Sequence, residues 1–115
     1  REAVDFVRET GIDYLAPAVG TSHGAFKYKG ESKIDSERLK EVKRLTDLPL
    51  VLHGASGVPQ DLVEKAQKYG ADLKGAKGVT DDVLKKAISC GINKVNTDTD
   101  LRIATVGAIR KILVQ

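Results

Sequence analysis

The stretch PLVLHGASGVP, residues 49–59, decides the fold class predicted for this chain. Leu50 to Leu52 form an apolar run that is typical of a buried strand, and His53 stands where that strand ends. The small residues 54–57 then predict a turn, and Pro59 suits the start of a helix. The stretch therefore predicts a strand, a polar loop and a helix in direct succession.

The same order of elements recurs upstream, where each boundary carries a start or stop signal. REAVDFVRET (residues 1–10) has one apolar helical face, and Gly11 supplies the stop. IDYLAPAVG (residues 12–20) predicts a strand that Pro17 ends or distorts. A helix through Leu45 follows, with Asp35 or Ser36 as its N-cap.

Downstream, the chain predicts two more helices, a third strand and a last helix. These elements are a helix at residues 62–69 stopped by Gly70, a loop at 71–78, a helix capped by Thr80 and ending at Ser89 or Cys90, a strand at 92–95, and a helix from about Leu101 to the end. Short apolar strands that alternate with helices indicate βα units and a parallel sheet, so the fold class is α/β.

Two parallel architectures agree with this pattern, the doubly wound sheet and the (β/α)8 barrel. A barrel usually needs about 250 residues, so three units would form less than half of one. In both architectures, ligands bind at the carboxyl ends of the strands. The two architectures therefore place the site at the same edge.

Composition excludes several classes of protein. The net charge is +3, but the lysines alternate with acidic residues, and only five aromatic residues are present, so no nucleic-acid platform is predicted. No apolar run approaches the ~18–20 residues of a membrane span, and no signal peptide is visible. The single Cys90 fits a reducing cytoplasm and a packing role. The chain starts with Arg1 inside a helical pattern and also stops inside one, so we expect a piece of a longer protein.

Polar clusters follow all three predicted strands at their carboxyl ends. They are TSHGAFK at residues 21–27, HGASG at 53–57 and NTDTD at 96–100. If the strands are adjacent, the clusters share one edge. His23 and His53 are the only histidines, and together they fit two imidazole ligands of one metal ion, with Zn²⁺ as the leading candidate. Each alone could instead be a hydrogen-bonded structural histidine. A catalytic zinc needs about three protein ligands; Asp98 could be the third, but a ligand from a missing segment is simpler.

The glycine-rich loop and the last helix offer donors for an anion. Residues 54–57 lack bulk, so their N–H groups can approach an anion, and Ser56 adds a hydroxyl. Asn96 to Thr99 lead into a helix whose first amides are free to bind phosphate. Lys27 could neutralise the anion or be a solvated loop lysine. Ser56, Asp98 and Thr99 could equally be turn residues and caps, and for Asp98 we expect a capping role as well.

The motifs GTSHGAFK (residues 20–27), PLVLHGASGVP (49–59) and GINKVNTDTDLR (91–102) resemble the metal-dependent class II fructose-1,6-bisphosphate aldolases. The resemblance covers the whole chain and implies the C-terminal part of a TIM (β/α)8 barrel, roughly its last three units. Residues 1–115 would then be a single partial domain. The family cleaves fructose 1,6-bisphosphate to dihydroxyacetone phosphate and glyceraldehyde 3-phosphate, a step of glycolysis and gluconeogenesis.

The resemblance also implies roles for individual residues. His23 and His53 would be two of three zinc ligands, although another divalent metal could take the site. Asn96 would lie against the enediolate carbon and Asp98 would position the substrate. Substrate binding would involve Gly24, Lys27, Gly54, Ala55, Ser56, Asn96, Thr97, Asp98 and Thr99. A monovalent cation, Na⁺ or K⁺, would bind carbonyls near Ser22, Gly24 and Gly54. We expect a cytoplasmic enzyme that forms a dimer or tetramer as the full-length chain.

Two departures from the family pattern keep alternatives open. The aspartate that handles the C4 hydroxyl proton, followed in the family by the first zinc histidine, has no counterpart here, since no Asp-His pair exists. We therefore expect the piece alone to show no turnover, and a non-catalytic metal- or phosphosugar-binding half-barrel is one alternative. Tagatose-bisphosphate aldolases are the other, but they tend to have alanine in place of Ser22 and a less acidic segment than NTDTD.

Overall fold

The structure is a computed structural model that describes residues 1–23, 25 and 33–114. In that part, the chain forms five helices and two short strands. The helices are α1 (Glu2–Thr10), α2 (Ser36–Thr46), α3 (Gln60–Lys68), α4 (Asp81–Ser89) and α5 (Thr99–Leu113), and the strands are β1 (Leu50–Leu52) and β2 (Ile92–Val95). Their order along the chain is α1-α2-β1-α3-α4-β2-α5. Both strands begin and end where the sequence predicts.

The strands β1 and β2 pair in parallel, as the alternation of strands and helices predicts. The register places Leu50 opposite Ile92 and Leu52 opposite Val95, with an irregularity between Leu50 and Val51. At this point, the Asn93 side-chain oxygen accepts the Leu50 N–H at 3.0 Å, so the amide keeps a partner despite the shifted register. The fold is thus of the α/β class, and its sheet is parallel.

The strand predicted at residues 12–20 is reduced to one parallel bridge between Leu15 and Leu50. Leu15 donates its N–H to the Pro49 carbonyl at 3.1 Å and accepts the Val51 N–H at 2.9 Å. Pro17 has no N–H to donate, so the ladder cannot continue past it as a regular strand. The predicted strand is therefore wrong in length, but its place beside β1 and its parallel direction are right.

The helix boundaries follow the predicted stop and cap residues, with small shifts. Gly11 ends α1 in the left-handed conformation at φ 63°, and the Asp35 carboxylate accepts the Arg38 N–H at 3.0 Å at the start of α2. Thr80 caps α4 through a 3.4 Å hydrogen bond from Val83 N–H. Pro59 is the N-cap of α3, as its predicted place at the helix start requires, although the predicted range 62–69 begins about half a turn after Gln60. The predicted start of α5 at about Leu101 is late by the same amount, since α5 begins at Thr99.

Two apolar clusters hold the sheet and the helices together. The larger cluster surrounds β1 and contains Cys90, whose buried thiol is unpaired, as the predicted packing role requires. The smaller cluster lies between α3 and α5, where a Cβ on Gly107 would sit 3.4 Å from the Cβ of Ala66. The loop after β1 joins both clusters, because Ala55 belongs to the first and Val58 to the second. No described helix combines the length and the apolar character needed to cross a membrane.

We expect Leu52→Ala to lower the free energy of unfolding by about 2–5 kcal/mol, because the side chain is 0% exposed at the centre of the larger cluster. Leu113→Ala removes the same atoms from a side chain that is 77% exposed, and we expect a change within about 0.5 kcal/mol. Urea unfolding of both variants measures the difference. Equal losses in the two variants would contradict this assignment of the core.

Candidate functional site

Three side chains from the three βα units meet at the carboxyl edge of the sheet. The ring centroids of His23 and His53 lie 5.7 Å apart, with the ring planes inclined by 50°. The Asn96 side-chain nitrogen lies 3.3 Å from Nε2 of His53. The prediction that the clusters after the strands share one edge is confirmed for these three residues.

A cavity of about 400 Å³ opens at this edge between the loops that follow the strands. Most of the residues that the sequence nominates for the site lie on its walls, including Thr97. The lining residues are His23, His53, Gly54, Ser56, Val95, Asn96, Thr97, Asp98 and Thr99. The cavity is therefore built from the loop that carries His23, the ends of two strands and the beginning of α5.

The two imidazoles are close enough to share a metal ion. Two rings bound to one zinc at about 2.0–2.1 Å in tetrahedral geometry have centroids roughly 5 Å apart. The observed centroid distance of 5.7 Å between His23 and His53 is close to that value, and both side chains are solvent-exposed. Within residues 1–23, 25 and 33–114, no three histidine, cysteine, aspartate or glutamate side chains converge on such a position. The donor set thus fits two ligands of a zinc site.

The backbone of His53 is fixed by the loop that carries His23. The Thr21 hydroxyl donates to the His53 carbonyl at 2.6 Å. Gly54 adopts φ 63°, and a Cβ at this position would collide with the backbone of Ser22. The glycine after His53 is therefore required both by its left-handed conformation and by the close approach of the neighbouring loop.

The Ser56 hydroxyl oxygen binds the N-terminus of α5. It accepts the N–H groups of Asp98 at 3.2 Å and of Thr99 at 3.1 Å, and Ser56 itself is 4% exposed. These amides are among those that a helix leaves without an internal partner. The expectation that they are free to bind phosphate is corrected, because a side chain from the β1 loop already satisfies them.

Asp98 occupies the N-cap position of α5, but its side chain does not cap the helix. Its carboxylate instead accepts a hydrogen bond from Nε of Arg102 at 2.7 Å, and both side chains are exposed. The predicted capping role is therefore taken over by Ser56. Because the Asp98–Arg102 pair is solvated, we assign it little weight in stability and treat its polar atoms as available to a ligand.

Three of the remaining nominated residues do not present a described side chain to the cavity. Ala55 is 1% exposed and packs in the larger apolar cluster, so only its backbone can serve the site. Gly24 and Lys27 lie outside the described residues. The sequence reasoning missed two contributors, Thr21 and Asp100, whose partners are 32 and 43 positions away along the chain. No local sequence pattern predicts hydrogen bonds between residues so far apart along the chain.

Proteins with a parallel α/β fold bind their ligands beyond the carboxyl ends of the strands. The two neighbouring imidazoles lie at that edge, so the chain has the features of an α/β protein with a metal-capable site. Comparison of the sequence identifies the family. The family model for class-II fructose-bisphosphate aldolase matches residues 1–72 and 73–115. The chain belongs to the class-II fructose-bisphosphate aldolase family.

Curated relatives agree with the family model. The chain is 62% identical over 112 residues to a protein named fructose-bisphosphate aldolase from Helicobacter pylori, 53% identical over 112 residues to one from Thermus caldophilus, and 45% identical over 117 residues to one from Giardia intestinalis. The matches cover 97%, 97% and 100% of this chain, and 36%, 37% and 36% of the three relatives. The chain thus spans about a third of the length of these relatives.

We expect Ser56→Ala to lower the free energy of unfolding by about 1–2 kcal/mol, because two part-buried amides at the start of α5 lose their acceptor. Amide hydrogen exchange at Asp98 and Thr99 should accelerate in the same variant. Ser89→Ala is the matched control, since its exposed hydroxyl donates only to the Lys86 carbonyl at 2.8 Å. Unchanged exchange at both amides in Ser56→Ala would contradict the capping role.

Proposed function

We propose that the protein carrying this chain cleaves fructose 1,6-bisphosphate to dihydroxyacetone phosphate and glyceraldehyde 3-phosphate and catalyses the reverse condensation. The observation that carries the proposal is one cavity, in a chain of the class-II family, that brings together His23, His53, Asn96 and Ser56. These side chains supply metal ligands and hydrogen-bond donors of the kind that this reaction needs. The three relatives named fructose-bisphosphate aldolase support the same assignment.

We infer that the parallel units form the last three βα units of a (β/α)8 barrel. The order of the units supports this, because Leu15, β1 and β2 lie side by side in chain order and run in one direction. Consecutive units of a barrel have this arrangement, and barrel enzymes place their sites at the carboxyl face. Residues 1–115 then form a single partial domain.

His23 and His53 would hold a divalent metal, with Zn²⁺ as the best match to two imidazoles. When bound, zinc would supply Lewis-acid chemistry toward the ketose as the C3–C4 bond breaks. The chain's own contribution is to orient the ligands. Thr21 fixes the backbone of His53 through the 2.6 Å hydrogen bond, and the close contact of Gly54 with Ser22 ties the two histidine loops together.

Asn96 would bind the reacting end of the substrate. Its amide nitrogen lies 3.3 Å from Nε2 of His53, on the wall of the same cavity. The Lys94 ammonium donates to the Asn96 side-chain oxygen, which leaves the amide N–H groups directed away from Lys94. Asp98, exposed at the cavity wall, would bind a substrate hydroxyl with its carboxylate.

The phosphate of dihydroxyacetone phosphate would bind at the hydroxyl groups of Ser56 and Thr99. The Ser56 oxygen already accepts two N–H groups, so both of its lone pairs are used and its own O–H is left as a donor. Among the described residues, the Ser56 hydroxyl donates no hydrogen bond. A hydroxyl whose orientation is fixed in this way costs little to immobilise when an anion binds. Gly54, Ala55 and Thr97, with Gly24 and Lys27 outside the described residues, complete the proposed binding set.

A monovalent cation, Na⁺ or K⁺, would bind near the junction of the two histidine loops. The support is the close packing of the Ser22 backbone on Gly54, which brings the Ser22 carbonyl oxygen up to the loop after β1. Gly24 is the third nominated residue. Such a cation would sit beside the metal and phosphate positions and offset part of the substrate's negative charge.

Within the family, fructose 1,6-bisphosphate is the preferred ketose over tagatose 1,6-bisphosphate. Ser22 and the acidic segment at residues 96–100 support this choice, since tagatose-specific members tend to carry alanine at the first position and fewer acids in the second. The protein would bind a small phosphosugar as its substrate, and we propose no nucleic-acid or membrane partner for it. We further propose a cytoplasmic location and a homo-oligomer, dimer or tetramer, for the full-length protein.

We expect His53→Ala to weaken zinc binding by about 10- to 100-fold, because one of two imidazole ligands is lost. Isothermal titration of wild type and variant with Zn²⁺ measures the change. Asp61→Ala is the control, since this exposed carboxylate on α3 pairs with Lys65 at 3.4 Å. If zinc affinity survives the loss of His53 unchanged, the proposed metal site is wrong.

We expect the full-length protein that contains this chain to cleave fructose 1,6-bisphosphate, and to lose the activity when a chelator removes its metal. The isolated residues 1–115 should show no turnover, because their described part offers two imidazoles but no third metal ligand. A coupled assay for dihydroxyacetone phosphate measures both. Tagatose 1,6-bisphosphate is the comparison substrate, and faster cleavage of it would assign the protein to the other epimer. Binding of zinc and phosphosugar without cleavage by the full-length protein would favour a non-catalytic role.

A further inference from the structure

We propose that Asp100 is a positioning residue that holds the phosphate-binding loop in its working shape. Its carboxylate accepts two consecutive backbone amides across the site: Oδ2 accepts the Gly57 N–H at 3.0 Å, and Oδ1 accepts the Val58 N–H at 2.7 Å. Hydrogen bonds from amides to a carboxylate are roughly twice as strong as neutral ones. The inference rests on the proposed function for the identity of the ligand, but the contacts themselves do not.

The loop needs such a restraint because Val58 is in an unfavourable conformation. Val58 has φ 51°, in the left-handed region that β-branched residues rarely adopt. It is also 1% exposed and packs in the cluster between α3 and α5. The structure therefore keeps a strained residue directly after the phosphate-binding turn, and the shorter of the two Asp100 hydrogen bonds is made to its amide.

Asp100 and Ser56 join the same two segments in opposite directions. Ser56, on the β1 loop, accepts the Asp98 and Thr99 amides of α5, whereas Asp100, on α5, accepts the Gly57 and Val58 amides of the β1 loop. These four hydrogen bonds close a ring between the loop and the helix. The direction of the Ser56 O–H therefore depends on a carboxylate that is four residues from Asn96 along the chain.

Asp100 also limits where an anion can bind. Because the Gly57 and Val58 amides are already paired, they are withdrawn from any phosphate, and the carboxylate's charge repels an anion from that end of the loop. The anion is left with the Ser56 side of the cavity, where Thr99 also lies. Asp100 itself is not among the residues on the cavity wall, so it acts through the loop and is not a catalytic residue.

The test uses Asp100→Asn in the full-length protein, with Asp82→Asn as the matched control. Asp82 is the second residue of α4, as Asp100 is of α5, so both variants remove one charge from the first turn of a helix. Asp82 is exposed. An asparagine at position 100 accepts through one oxygen only and presents its NH₂ group to the second amide.

We expect amide hydrogen exchange at Gly57 and Val58 to accelerate about tenfold in Asp100→Asn and to stay unchanged in Asp82→Asn. The dissociation constant for dihydroxyacetone phosphate should rise about tenfold and KM should rise more than kcat falls, while zinc affinity stays within about twofold. A merely structural role would weaken zinc and phosphosugar binding together. Such parallel losses, or an Asp100→Asn variant with the affinity of the control, would overturn the proposal.

A second background separates the restraint on Val58 from general damage. Glycine adopts positive φ freely, so Val58→Gly relieves the strain that Asp100 offsets. In that background, Asp100→Asn should raise the dissociation constant by less than about threefold, and an undiminished tenfold rise would overturn the strain argument. If the proposed function is wrong, the wild type will bind no dihydroxyacetone phosphate. The exchange experiment will still detect the four hydrogen bonds between the β1 loop and α5, so the two failures are distinguishable.

Discussion

Two parallel strands cannot be joined by a short turn, so the chain between β1 and β2 must cross the sheet and return to the same edge. This constraint places the residue after β1 and the residue after β2 side by side, although 43 positions separate His53 from Asn96. The bridge between Leu15 and Leu50 extends the arrangement to a third segment, which carries His23. The positions of His23, His53 and Asn96 therefore follow from the parallel order of the three segments.

The site is stabilised by its surroundings more than by its own contacts. Its ion pair, Asp98 with Arg102, is exposed and contributes little. The β1 loop, in contrast, is fixed at both ends by apolar packing, with Ala55 in one cluster and Val58 in the other. Between these anchors lies Ser56, whose hydroxyl serves the helix rather than the solvent. A polar loop is thus held rigid because its small side chains are buried and its backbone is hydrogen-bonded.

The sequence was sufficient for the features that depend on local chemistry. The strands at residues 50–52 and 92–95, the stop at Gly11 and the cap at Thr80 follow from apolar runs, left-handed glycine and hydroxyl capping. The proximity of the histidines followed from the carboxyl-edge rule, but the 5.7 Å separation required the structure. The strand at residues 12–20 was overestimated, since composition does not reveal how far Pro17 interrupts pairing.

The errors at the start of α5 have a single physical origin. A sequence shows which residues can cap a helix but not whether another segment reaches the amides first. Asp98 has the right chemistry and position for a cap, yet Ser56 satisfies the amides and releases the Asp98 carboxylate to the cavity. Capping by a distant side chain also ties helix formation to the docking of the β1 loop. The β1 loop and the first turn of α5 therefore become ordered together, so whatever orders one must favour the other.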